Sequence, residues 1–165
     1  MIVSNSSPLI YLAKINRLNL LKLLFNKIFI PEEVYTEVVI NGKQRNFSDA
    51  LSIERAIKDG WIEVKKTNYN FEYDEIYNKI HLGEIEAIKL AKQLNAKLLL
   101  IDDASAHTLA QGLGLNVKGA IYVLLTAYEK KLINKNEIKS CLYKLVLHGF
   151  RISTELYGKI LNEIG

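Results

Sequence analysis

The sequence predicts an α/β fold: three α/β/α layers around a central, mainly parallel sheet of about five strands, followed by C-terminal helices. Two observations predict it. Short β-branched or leucine-rich runs alternate with segments of helical periodicity, the order required by a parallel sheet covered by helices on both faces. The run KLLLI at 97–101 is continuously apolar rather than alternating, as a central strand buried on both sides should be.

Strands are expected at 2–3, 27–30, 61–64, 97–101 and 116–117. Ser7 followed by Pro8 reads as a cap with proline at the first helical position, opening SPLIYLAKI. Pro31, Glu32 and Glu33 open PEEVYTEVVI and set acids at the positive end of the helix dipole. Segments 48–60, with Ser48 as cap, and 82–95 are amphipathic and stop at Gly60 and Asn95. From Gly119 the tail reads as three helices, AIYVLLTAYEKKL, NKNEIKSCLYKLVLHG and STELYGKILNEI, with turns near 133–136 and 149–151. The stretch NGKQRNFS at 41–48 is polar enough to be a mobile loop.

With 165 residues, 49% of them hydrophobic, the chain fits one domain over 1–165, with a helical extension from about 134, and needs no disulfide to close its core. The single cysteine, Cys141, lies in a helical pattern and reads as a buried thiol, which points to a reducing, cytoplasmic setting. No basic segment precedes a long apolar run, and no window approaches the roughly 20 apolar residues of a bilayer span, so no membrane is expected. The net charge of +4 is compatible with a polyanion partner and equally common in ordinary proteins.

Polar and acidic residues fall where strands hand over to helices, the place where open α/β sheets keep their ligand crevice. Asn5 and Ser6 follow the first strand, and Asp102 and Asp103 follow the fourth. Glu37 and Glu84 lie on predicted helices able to point inward at the same end, so the groups converge if the first and fourth strands are neighbours. Oxygen ligands of this kind suit a hard cation such as Mg2+, which can activate water beside a phosphate. Each acid also has a plainer role: Asp103 as a helix cap, Asp102 in a solvated turn, Glu37 on a surface, and Glu84 at a helix start that favours acids.

Several other chemistries are absent. GLGLN lacks the lysine and threonine of a P-loop and the third glycine of a dinucleotide turn. His81, His107 and His148 are isolated, with no zinc-ligand spacing. Ser6 and Ser7 sit in no nucleophile elbow and read as helix-entry residues, while Tyr122, Tyr128 and Tyr143 recur on helical faces as core packing does.

The stretches IVSNSSPLIYLAKI, FIPEEVYTEVV, LGEIEAIKLA, LLLIDD and GFRISTELY carry a likeness that spans nearly the whole chain. The chain resembles PIN domains, the metal-dependent ribonuclease fold that includes VapC-type toxins, and within them a bacterial and archaeal subfamily. The resemblance implies a site of four positions, with Asn5 in the first, Glu37 in the second, Glu84 in the third and Asp103 in the fourth. It places Asp102 beside them as an alternative ligand and Ser7 as a supporting residue. PIN nucleases usually carry aspartate in the first position, and asparagine there removes a charge while keeping a carbonyl oxygen.

The resemblance implies an endoribonuclease dependent on Mg2+ or Mn2+, in which Glu37, Glu84 and Asp103, with Asn5, hold the metal and orient water on a phosphodiester. It also implies partners: RNA, a small antitoxin that places a helix and a basic residue in the acidic pocket, and a second copy in a homodimer. The alternative is a degenerate domain that docks RNA or protein without cleaving, for which Asn5 is the motive. Lys14, Arg17, Lys43, Arg45 and Lys118 are the candidate RNA-binding cations, although scattered cations are commonly solvated.

Overall fold

A computed structural model describes residues 1–165, the side chain of residue 76 excepted. Five strands form one sheet in the order β3-β2-β1-β4-β5: β1 (Ile2–Ser4), β2 (Ile28–Pro31), β3 (Ile62–Lys65), β4 (Leu98–Leu100) and β5 (Val117–Lys118). Every pairing is parallel. The sheet is therefore fully parallel, and β1 lies at its centre between β2 and β4, with Ser4 opposite Leu100.

Alternation along the strands explains the three layers. Successive strand side chains point to opposite faces. Ile28, Ile30, Leu98 and Leu100 enter one apolar cluster, whereas Val3, Leu99, Ile101 and Val117 enter another. On the first face pack α1 (Ser6–Lys14), α2 (Asn19–Phe25), α5 (Ser48–Lys58), α8 (Ala120–Glu129), α9 (Lys135–Leu147) and α10 (Thr154–Ile164), through residues such as Leu9, Leu20, Ile53, Leu124, Leu142 and Ile160. On the second face lie α6 (Leu82–Gln93) and α7 (Ala104–Gly112), through Ile88, Leu90 and Leu109. Both faces of KLLLI are thus covered. The helices from 134 onward share the main core with β2 and β4, so they are structural members of the sandwich.

Several boundaries differ from the sequence reading. The first helix starts at Ser6 with Asn5 in the cap position, so Ser7 is no cap and Pro8 sits third in the helix. Proline is tolerated there because the first-turn N–H groups have no partner inside the helix. Pro31 ends β2 rather than opening a helix, and Ser48 is preceded by Phe47 in the cap position. The α2 helix, from NLLKLLF, had no counterpart among the expected elements.

The stretch 41–48 is not a mobile loop over its first half. Helical structure runs from α3 (Glu32–Tyr35) through a π-helix (Thr36–Asn41) into α4 (Gly42–Gln44). Gly42 permits it: a Cβ on that residue would lie 2.8 Å from the Ala50 Cβ, so only glycine lets α4 lie so close to α5. The expected stop signals do work, with Gly60 at φ +82° and Asn95 at φ +48° turning the chain out of α5 and α6. Among the described residues no helix is long and apolar enough to cross a membrane.

Candidate active site

From β1 the chain moves outward to β2 and β3, then recrosses to β4 and β5. The carboxyl ends of β1 and β4 consequently border the switch point where parallel sheets open a crevice. Asn5 leaves β1 there, its backbone N–H donating to Leu100 O across the two strands at 3.1 Å. Its side chain is 2% exposed, and Oδ1 is buried with no hydrogen-bond partner.

Three carboxylates approach the crevice from separate elements, and a fourth, Asp102, stands next to the last of them in the chain. Glu37 comes from the π-helix that follows β2, an element in which one extra residue per turn re-aims side chains and which recurs at functional sites. Its Oε2 accepts a short hydrogen bond from Ser6 Oγ. Glu84 is the third residue of α6, where its Oε2 accepts from the His81 N–H at 3.2 Å. Asp103 caps α7, Oδ1 accepting from the Ala106 N–H at 2.9 Å. Asp102 is turned the other way: its Oδ1 accepts from the Ala120 N–H at 2.8 Å, and Oδ2 is buried without a partner. Each acid thus uses one oxygen locally and leaves the other uncommitted.

Two glycines make these positions possible. A Cβ on Gly83 would lie within 2.8 Å of the Glu37 Cδ, so α6 approaches the π-helix closely only because that residue has no side chain. A Cβ on Gly119 would collide with the Asp102 Oδ1. Asp102 accordingly ties the carboxyl end of β4 to the start of α8.

The electrostatics separate the acids. Burial, with the nearby charge of Asp103 and a smaller one from Glu37, raises the Glu84 carboxyl above its ordinary range, against the lowering effect of the His81 N–H. Like charges that raise a buried carboxyl's proton affinity in this way are arranged as cation ligands often are. Asp102 is pushed up to about 6 by burial, opposed by its bond from Ala120. No neighbouring charge contributes to that shift, consistent with its turning away from the other acids.

The crevice is one trough with two lobes. A lobe of about 510 Å³ includes Asn5, Ser6, Ser7, Glu37 and Glu84, and a second of about 360 Å³ includes Ser7, Glu84, Asp102 and Asp103. Ser7, His81 and Glu84 line both. All of the expected site residues therefore line this trough, although the Asp102 carboxylate is turned from it toward Ala120, and Glu84 lies at its middle. The donor atoms are hard oxygens, as a divalent cation of the Mg2+ or Mn2+ kind requires, and the unpartnered Asn5 Oδ1 is suited to ligation. Among the described residues no three Asp, Glu, His or Cys side chains stand close enough together to enclose an ion as they lie. The set fits a cation in chemistry, and one oxygen of Glu37, Glu84 and Asp103 is held by Ser6, His81 and Ala106 respectively.

Some contributors escaped the sequence reading. Ser6, dismissed as a helix-entry residue, is the donor to Glu37. Asp49, in the first turn of α5, is 6% exposed and opens into the larger lobe. His81 lies between the lobes, where its N–H fixes Glu84. Of the five candidate cations, Lys14 and Arg45 line the trough. Arg17 instead pairs with Glu137 at 3.2 Å, Lys43 with Glu54 at 3.0 Å, and Lys118 lies 5.6 Å from the Tyr122 ring centre.

A parallel sheet covered on both faces, with carboxylates at the carboxyl ends of its central strands, is the α/β class in which the ligand crevice lies at the switch point of the sheet. The chain belongs to the PIN domain family DUF3368, whose model matches residues 1–165. PIN domains are generally nucleases dependent on divalent metal. A solved PilT N-terminus domain protein from the hyperthermophilic archaeon Sulfolobus solfataricus has a similar fold: TM-score 0.54 and 21% identity, covering 78% of this chain and 95% of that one. No curated protein matches the chain.

Proposed function

We propose that this PIN domain is an endoribonuclease that hydrolyses RNA phosphodiesters with Mg2+ or Mn2+ held by Glu37, Glu84, Asp103 and Asn5. The observation that carries the proposal is Glu84, at the middle of the trough, its proton affinity raised by burial and by the charges of Asp103 and, less, Glu37. A bound cation supplies Lewis-acid charge against the scissile phosphate and makes water more acidic. The chain supplies the frame: Ser6 fixes the Glu37 carboxylate, the His81 N–H fixes Glu84, and the first turn of α7 fixes Asp103. Asp102 contributes as a strut beneath α8 rather than through its committed oxygen.

Glu84→Gln keeps the shape and the bond from His81 while removing the charge. Cleavage of single-stranded RNA in Mn2+ should fall by at least about 100-fold, a loss that even supporting groups of metal sites can cause. Stability should not fall, because repulsion from Asp103 and Glu37 is relieved. A wild type that neither binds Mn2+ by calorimetry nor cuts RNA, with Glu84→Gln indistinguishable from it, sinks the proposal. That result would favour a docking module, the reading motivated by Asn5 in place of an acid.

Gly83→Ala tests the placement of Glu37. The new methyl group would take the place of the Glu37 carboxylate, the far end of a flexible side chain that can be displaced from Ser6, and alanine favours a helix by up to about 1 kcal/mol. Denaturation should therefore show stability within about 1 kcal/mol of wild type, while Mn2+ affinity and cleavage drop at least about tenfold. Unchanged cleavage would show that Glu37 takes no part.

The same reading carries two protein partners. A small antitoxin would offer a basic residue to the acids, and a second copy of the chain would meet the exposed Tyr143, Val146 and Leu147 on α9. Light scattering that finds a monomer at micromolar concentration removes the second copy, and failed co-purification with a neighbouring gene product removes the first.

A further inference from the structure

The closing motif GFRIS has no part in the acid site as described, yet it forms one wall of the trough. Gly149, Phe150 and Arg151 line the smaller lobe, facing Glu84, Asp102 and Asp103. The Phe150 ring meets Tyr11 edge to face, with centroids 5.1 Å apart at 83°, which sets the wall against α1. At the opposite end, Lys14, Arg45 and Phe47 line the larger lobe, and the Phe47 side chain is exposed. The acids thus have a cation and an aromatic ring on each side.

None of the ion pairs among the described residues includes Lys14, Arg45 or Arg151. The contrast with Arg17 and Lys43, both paired to carboxylates, is informative. A guanidinium that shares a lobe with three acids and pairs with none is available to an incoming anion, and a planar guanidinium matches a phosphate bidentately. Exposed aromatic rings beside such cations are how proteins hold unpaired nucleobases, because a base stacks on them only when it is free of a duplex.

From this arrangement we infer that Arg151 on the C-terminal wall and Arg45 with Phe47 on the opposite rim grip one single-stranded RNA across the acids, each arginine taking a phosphate on one side of the scissile bond. The inference rests on the nuclease reading for the bond that is cut, but the grip itself needs only the trough. Phe47 gives it a preference for single strands, and Lys14, lining the same lobe as Arg45, adds charge there.

The test uses the full chain with a fluorescein-labelled mixed-sequence RNA dodecamer, read by anisotropy in EDTA so that cleavage does not remove the probe, and a blunt duplex of the same sequence. Arg151→Ala and Arg45→Ala should each weaken single-strand binding about tenfold and flatten its salt dependence. Arg151→Lys should recover part of the loss, and Phe47→Ala should reduce the preference for the single strand over the duplex. Lys43→Ala, outside the trough, is the control and should bind as wild type does. Mn2+ affinity of Arg151→Ala, by calorimetry, should be unchanged, which separates a phosphate contact from damage to the acids.

Binding of the single strand by Arg151→Ala and Arg45→Ala at wild-type affinity overturns the inference while leaving the metal site standing. A wild type with no affinity for the RNA overturns it as well. Arginine-dependent binding by a wild type that cuts nothing supports the grip and removes the nuclease reading instead.

Discussion

Asn5→Asp is expected to make folding depend on metal. The residue is 2% exposed and its Oδ1 has no partner, so a carboxylate there would be a buried, unpaired charge beside Glu84 and Glu37. In EDTA the variant should lose about 2–4 kcal/mol of stability, the scale of an uncompensated buried charge after relaxation. Mn2+ should reverse the loss, because the added charge raises affinity at the proposed ion site. At a concentration 100 times Kd the ion returns about 2.7 kcal/mol. The affinity gain itself should be at least about tenfold by calorimetry, or about 1.4 kcal/mol. Cleavage should rise with it if the wild-type site is limited by weak metal binding. Melting curves that respond to Mn2+ equally in the two proteins would show that Asn5 is remote from any ion.

Replacing Asp102 by asparagine should change how stability varies with pH. Burial raises its carboxyl from 3.8 to about 6, so the folded chain holds that proton more tightly than the unfolded chain does. A raised carboxyl pKa favours folding at low pH. The penalty for its ionisation is small below about pH 4, grows between 4 and 6, and is complete above 6. A difference of about 2.2 pH units at about 1.4 kcal/mol each gives a full penalty of about 3 kcal/mol. Asparagine carries no such penalty and can still accept from the Ala120 N–H. The stability of the variant relative to wild type should therefore increase by about 2 kcal/mol from pH 4 to pH 8 in EDTA, measured by urea denaturation. Glu84, also raised, shifts both profiles alike and cancels in the difference. A difference independent of pH would mean that Asp102 is far better solvated than its position implies.

The parts of the molecule legible from sequence are those decided by local pattern. KLLLI announced a strand buried on both faces, and the positions of Asn5, Asp102 and Asp103 directly after strands placed them at the mouth of the sheet. What escaped depends on contacts between distant segments. No periodicity marks the π-helix at Thr36–Asn41, which arises within a pattern that reads as ordinary helix. NGKQ looked like loop because its fitness to pack is a property of Gly42 against Ala50, visible only in space. Ser6 reaches Glu37 across 31 positions of sequence, and Arg151 reaches the acids only because α9 folds back over the sheet. The family likeness named GFRISTELY without saying what it does.

In the proposed grip, the C-terminal wall limits where a single strand can enter and leave. Gly149, Phe150 and Arg151 are suspended between α9 and α10, whose Leu145 and Ile160 are buried in the main core. Swinging that wall aside would draw both anchors out of apolar surroundings, so admission on the Arg151 side would require partial unfolding. The opposite rim, at residues 45–47, is a short exposed connection between α4 and α5. Under the proposed grip, threading and release would fall to the rim carrying Arg45 and Phe47, and stiffening that connection is expected to slow turnover without altering the chemistry of the acids.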